Sequence, residues 1–352
     1  DKVVFGIFYG QNAALMEENK MFENLIEVLK NDPRKIVYTE GSDARILESA
    51  ARLKKDGFLT PILVGNVDEV KAAAAKGGFD IEGLEILDPA TYEGMDAMVD
   101  EMVALRKGKM SAEDCRAALS KGNYFGTMLV KMGVADCLLG GATYSTADTV
   151  RPALQLVKTK KGAHLVSSCF IMIRGDETLA MGDCAINIDY QDTVDKEGNV
   201  TFTAAQKLAE VAVATAETAK VFGIDPKVAM LSYSTKGSGK GPNVDLVRNA
   251  TEEAKKLAPE LKLDGEMQFD AAVSPVVGQL KFPGSPVAGY ANTFIFPEIQ
   301  SGNIGYKIAA RLGGFAAYGP ILQGLNAPIN DLSRGCNAEE VYQMSIITAA
   351  LK

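Results

Sequence analysis

A chain of 352 residues is longer than one hydrophobic core usually serves, and its length predicts two domains. Hydrophobic residues make up 47% and charged residues 23%, the balance of a globular enzyme and not of a disordered or fibrous chain. The net charge of -8 argues against a nucleic-acid or anionic-membrane surface, so an anionic ligand has to be met by individual arginines.

The opening stretch, Asp1 to Lys20, lacks the charged region and small-residue cleavage site of a signal peptide and reads as an extension outside the fold. From Met21 strands alternate with helices. Ile36 to Tyr38 reads as a strand, Ser42-Asp43 as the cap of a helix from Ala44 to Asp56 stopped by Gly57, and Pro61 to Gly65 as the next strand. Helices follow at 68–76, 92–105 and 111–120, then a buried strand at 135–139. Gly140 to Arg151 has the glycines of a strand-to-helix turn that can approach a phosphate closely, without the Lys-Ser/Thr pair of a P-loop. The pattern changes after Pro152, where a domain boundary is expected. Beyond it come a strongly apolar strand at 166–173, a turn at Glu197-Gly198-Asn199 and a long Ala-rich helix at 203–222. A strand at 227–234 opens into Ser-Thr-Lys-Gly-Ser-Gly-Lys-Gly, which reads as a mobile polar loop or as a second place for a ligand at a strand end. A helix at 243–257, a strand at 292–296, a helix at 303–312 and a strand at 317–322 complete this part.

The five cysteines are an odd number without C-x-x-C spacing, as in a reduced, cytoplasmic protein. His164 is the single histidine, which excludes a His-rich metal site and any mechanism needing two histidines. No apolar run approaches the ~20 residues of a membrane span.

The stretch Asn330 to Glu340 carries the most chemistry. Asn337 and Glu340 have the spacing of an N-cap and its capping-box partner, so Ser333, Arg334 and Gly335 fall just ahead of a helix N-terminus at 339–351. Free N–H groups and the helix dipole favour an anion there, and Arg334 can hold phosphate through two parallel hydrogen bonds. The same residues also suit an ordinary polar turn, with Glu340 doing no more than closing the box.

Three runs, Gly141-Ala142-Thr143-Tyr144-Ser145-Thr146-Ala147-Asp148-Thr149-Val150-Arg151-Pro152-Ala153-Leu154, Gly265-Glu266-Met267-Gln268-Phe269-Asp270-Ala271-Ala272, and Gly319-Pro320-Ile321-Leu322-Gln323-Gly324 through Asn330-Asp331-Leu332-Ser333-Arg334-Gly335-Cys336, together resemble the phosphate acetyltransferase family from about Met21 to the end. The resemblance implies two α/β domains with mostly parallel sheets, an isocitrate/isopropylmalate-dehydrogenase-like topology and a cleft between the domains. Residues 1–150 would form the first domain, 151–316 the second, and 317–352 a segment returning to the first. It implies acetyl transfer between CoA and phosphate, a homodimer, and no metal or organic cofactor, with CoA, acetyl-CoA, acetyl phosphate and phosphate as small-molecule substrates. Carried over by residue, Ser333 and Arg334 take the catalytic Ser-Arg pair, Glu340 the general base, and Arg106 and Arg151 the arginines tied to substrate or CoA. The chain departs from the family pattern at Glu340, an Asp in well-studied members, at Tyr144, where many carry His, and in a shortened run after Arg106-Lys107. A phosphate butyryltransferase and a non-catalytic CoA- or acyl-phosphate-binding module are the rival readings.

Overall fold

The computed structural model describes residues 20–352, so the expectation for 1–20 lies, Lys20 apart, outside the described residues. The chain divides into two compact units, one of Phe22–Gly162 with Leu325–Lys352 and one built on Ala163–Gly324.

Helix α1 (20–31), which belongs to the first unit from Phe22 on, leads into β1 (Arg34–Tyr38), α2 (Ala44–Asp56), β2 (Leu59–Val64), α3 (Val67–Gly77) and β3 (Glu85–Leu87). Then come α4 (Met95–Arg106), α5 (Ala112–Leu119), α6 (Gly122–Lys131), β4 (Cys137–Gly140) and α7 (Thr146–Pro152). The caps expected from local chemistry are in place: the Asp43 side chain accepts from the Arg45 amide at the start of α2, and Gly57, at a φ of 76°, ends it. Helix α7 does not stop at Pro152. It passes into a π-helical turn, Ala153–Val157, because the proline φ of -62° is helical and Ala153, Leu156 and Val157 are buried in this unit's core. The unit therefore runs on to Gly162, past the domain boundary expected at 150/151.

The second unit holds β5 (Ser167–Arg174), β6 (Glu177–Gly182), a hairpin of β7 (Thr193–Val194) and β8 (Val200–Phe202), α8 (Ala204–Val221), β9 (Lys227–Leu231), α9 (Pro242–Leu257) and β10 (Lys262–Met267). It continues with α10 (Phe269–Val273), α11 (Pro275–Lys281), β11 (Thr293–Ile295), α12 (Ile299–Arg311) and β12 (Ala316–Gln323). Its six-stranded sheet has the order β10-β9-β11-β6-β5-β12, parallel from β10 to β6 and antiparallel across β5 and β12. Strand β12 thus pairs with β5 in this sheet, and the chain re-enters the first unit only from Leu325.

The returning segment supplies β13 (Ile329–Asp331) and α13 (Ala338–Ala350). Strand β13 pairs with β4 and completes an all-parallel sheet of order β13-β4-β1-β2-β3. Such a sheet is covered on both faces, which is why Ile36, Val37 and Tyr38 are consecutive and all fully buried. Buried Tyr38 reaches α13 through a 2.6 Å hydrogen bond between its hydroxyl and Ser345 Oγ. Among the described residues no helix is long and apolar enough to cross a membrane.

Candidate functional site

In an open parallel sheet the loops at the carboxyl ends of the strands collect on one edge, where ligands bind. In the first unit those loops follow β1, β4 and β13, neighbouring strands of the sheet. They are tied directly to one another. The Leu332 amide donates to the Gly140 carbonyl at 2.7 Å, and the Thr143 amide donates to Glu40 Oε1 at 2.9 Å. Asp331, the last residue of β13, is almost fully buried and accepts from the hydroxyls of Thr146 and Thr149 on α7, each at 2.5 Å. A side chain at Gly141 would put its Cβ 2.2 Å from Asp331 Oδ1, and its φ is 96°, so only glycine lets these two loops meet.

The guanidinium of Arg45, in the first turn of α2, joins all three loops. Its Nε and Nη2 grip the Asp43 carboxylate at 2.9 and 2.8 Å, and Nη2 also donates to the Ala142 carbonyl at 2.9 Å. Its Nη1 donates to the carbonyls of Arg334 at 2.9 Å and Cys336 at 3.1 Å. Hydrogen bonding from Arg45 holds the Asp43 carboxyl below its usual range. Burial has the opposite effect on Glu40 and Asp331, whose carboxyls are raised, and it raises the Cys336 thiol as well.

Ser333, Arg334 and Glu340 occupy one loop and the helix start behind it. Ser333 Oγ accepts from the Gly335 amide at 3.2 Å, and the Ser333 carbonyl accepts from the Cys336 amide at 3.0 Å. The Arg334 side chain is exposed, and among the described residues no hydrogen bond or ion pair engages its guanidinium. The capping box at α13 is complete: Asn337 Oδ1 accepts from the Glu340 amide at 2.9 Å, and Glu340 Oε2 accepts from the Asn337 amide at 3.1 Å. Arg151 lies on α7 and pairs loosely with Asp148 at 3.7 Å. Arg106 ends α4 with its Nε buried and without a partner, and no hydrogen bond among the described residues links it to the Ser333 loop.

A cavity of about 530 Å³ opens beside these loops, lined among others by Thr39, Glu40, Asp43, Asn66, Asp88 and Thr143. No lysine or arginine lines it, so its carboxylates disfavour a phosphate, whereas Arg334 is open to one. Among the described residues no group of three or more His, Cys, Asp or Glu side chains could hold a metal ion. The glycine-rich loop after β9 is occupied from within. The Glu266 carboxylate accepts from the Gly237 amide at 2.7 Å and from Ser234 Oγ at 2.9 Å, which leaves the loop pinned rather than free. Arg45 and Glu40 escaped the sequence reading, although Glu40 sits in the loop after the first strand of a parallel sheet and Arg45 in the first turn of the helix that follows it, positions that invite attention.

The family model described as phosphate acetyl/butaryl transferase matches residues 20–349. The chain is 52% identical over 332 residues to the phosphate acetyltransferase of Bacillus subtilis, covering 94% of this chain and 98% of that protein. It is 50% identical over 335 residues to a phosphate acetyltransferase of Staphylococcus aureus, covering 93% and 98%. Among solved structures, a phosphotransacetylase from Streptococcus pyogenes superposes with a TM-score of 0.89 at 54% identity, covering 95% of this chain and 98% of that one. A branched-chain phosphotransacylase from Enterococcus faecalis shares the fold, with a TM-score of 0.61 at 19% identity over 90% of this chain and 99% of that one.

Proposed function

The chain belongs to the phosphate acetyl/butaryl transferase family, and from that premise we propose that it interconverts acetyl-CoA plus phosphate with acetyl phosphate plus CoA. The observation that carries this reading is the unpartnered Arg334 guanidinium on a loop held by its backbone, at the N-terminal end of the 13-residue α13. An arginine fork and helix N–H groups offset the charge of a departing phosphate. Arg151 stands as a second arginine toward CoA, and Arg106 as a third, on the strength of the resemblance.

The step is a direct transfer. The CoA sulfur forms a bond to the acetyl carbonyl carbon, the carbon–oxygen bond to phosphate breaks, and the thiol proton passes to a carboxylate. Glu340 is the proposed acceptor: one oxygen holds the capping box, and the other is free in an exposed position. Ser333 donates a hydrogen bond to the substrate. It needs no covalent role, because a ternary complex transfers the acetyl group without an acyl-enzyme. The isocitrate-dehydrogenase-like topology, a cofactor-free reaction and a homodimer belong to this reading. So does a reducing, cytoplasmic setting, which five buried thiols without a disulfide suit.

The test is CoA-dependent consumption of acetyl phosphate by the purified protein. Turnover with acetyl phosphate supports the reading; binding of CoA without any turnover would make the protein a binding module. The family description also spans a four-carbon acyl group, and the ratio of kcat/KM for acetyl-CoA and butyryl-CoA separates the two.

A further inference from the structure

We propose that Arg45 is the positioning residue of this site: it fixes the backbone of the Ser333–Cys336 loop so that the Arg334 guanidinium stands ready for phosphate. The proposal rests on the reading of that loop as the phosphate end of the site. One nitrogen of Arg45, Nη1, bonds two carbonyls of the loop two residues apart, those of Arg334 and Cys336. Together with the Cys336 amide donating to the Ser333 carbonyl at 3.0 Å, this pins both ends of the turn that carries Ser333 and Arg334. The opposite side of the guanidinium is gripped by Asp43, the N-cap of α2, so the donor itself is held by a rigid element. Nη2 extends the hold to Ala142, in the loop after β4.

The contacts assign geometry to Arg45, not anion binding. Its charge is neutralised by Asp43 at 2.8 Å, its side chain is only 26% exposed, and at least four of its hydrogen bonds end on other protein groups. Arg334, by contrast, has its backbone held, and among the described residues its guanidinium enters no hydrogen bond or ion pair. A lysine at position 45 could satisfy one of these partners but not a fork of them, because an ammonium lacks the planar array. Displacing a binding group by an ångström costs up to about a hundredfold in rate.

Two readouts test this. Calorimetric titration with inorganic phosphate needs no turnover: Arg45→Lys should weaken phosphate binding about tenfold while the melting temperature stays near that of the wild type. In the acetyl-transfer assay Arg45→Lys should lower kcat/KM for acetyl phosphate, and the double variant Arg45→Lys/Arg334→Lys should be no worse than Arg334→Lys alone, since both changes act through one guanidinium. Asp43→Asn keeps an N-cap side chain while loosening the grip on Arg45, and gives the same pattern in milder form should Arg45→Lys fail to fold. Wild-type phosphate affinity and kinetics in Arg45→Lys, or losses that multiply in the double variant, would overturn the proposal. An inactive wild type that binds phosphate and loses that binding in Arg45→Lys would end the acetyl-transfer reading and leave the role of Arg45 standing.

Discussion

Arg334 in the loop and Glu340 in the first turn of α13 are six residues apart in the chain, and their roles separate by substitution. Arg334→Lys replaces two parallel donors with a point charge, so kcat/KM for acetyl phosphate should fall about a hundredfold, the usual worth of a lost transition-state donor. Because the side chain is exposed and unpaired, the melting temperature should not move; unchanged kinetics would remove Arg334 from the site. Glu340 has two candidate duties. As a capping-box partner it should tolerate Glu340→Gln, which keeps the acceptor for the Asn337 amide. As the general base it should not, and turnover should drop about a hundredfold or more with KM nearly constant. Glu340→Asp then restores most activity if the loop yields by one methylene. Wild-type turnover in the Gln variant would move the base elsewhere. The nearby Asp331 is a poor substitute, since it is 3% exposed and already accepts two threonine hydroxyls.

At the scale of elements, the loop after β1 stores a pH dependence. Glu40 accepts from the Thr143 amide, the Thr143 hydroxyl and the Thr39 hydroxyl, yet burial outweighs these bonds and lifts its carboxyl above the ordinary 4.5. A raised carboxyl favours the folded state fully below 4.5, and that advantage is lost as pH rises through the elevated value. Glu40→Gln removes the titration while keeping an acceptor for Thr143, and the Thr39 hydroxyl can turn to accept from the amide nitrogen. Thermal melts from about pH 4 to about pH 7 should therefore show the wild type losing stability relative to the variant as pH rises. A constant gap across that range would mean Glu40 is not elevated. The elements themselves were unevenly legible. Helix caps at Asp43 and Asn337 could be read because the partners of a cap lie within three residues. Helix α6 could not, because Gly122 and Gly126 look like breakers until β1 is beside them: Cβ atoms there would lie 2.4 Å from the Thr39 carbonyl oxygen and 2.8 Å from Thr39 Cγ2. Arg45 was hidden for the same reason, its partners Arg334 and Cys336 being 289 and 291 residues away.

At the scale of the whole molecule, two parallel-rich sheets with separate cores follow from alternating strand and helix patterns, whereas the assignment of β12 required knowing its partner, β5. What the single chain leaves uncovered bears on assembly. On α12, Ile304 and Ile308 are 58% and 53% exposed, and Leu312, one helical turn further on, is 86% exposed. Their spacing of four residues puts them on one face, and a stripe of large aliphatic side chains costs solvation that a second copy of the chain would recover. If the proposed homodimer uses this face, Ile308→Glu combined with Leu312→Glu should convert the protein to a monomer in sedimentation or light scattering. The far-ultraviolet spectrum should not change, because neither side chain is part of the core. The Ser333 loop belongs to the other unit, so residual acetyl transfer by that monomer would mean that one chain suffices for the chemistry. A wild-type protein that is monomeric at assay concentration would remove the dimer, and a double variant that stays dimeric would move the interface off α12.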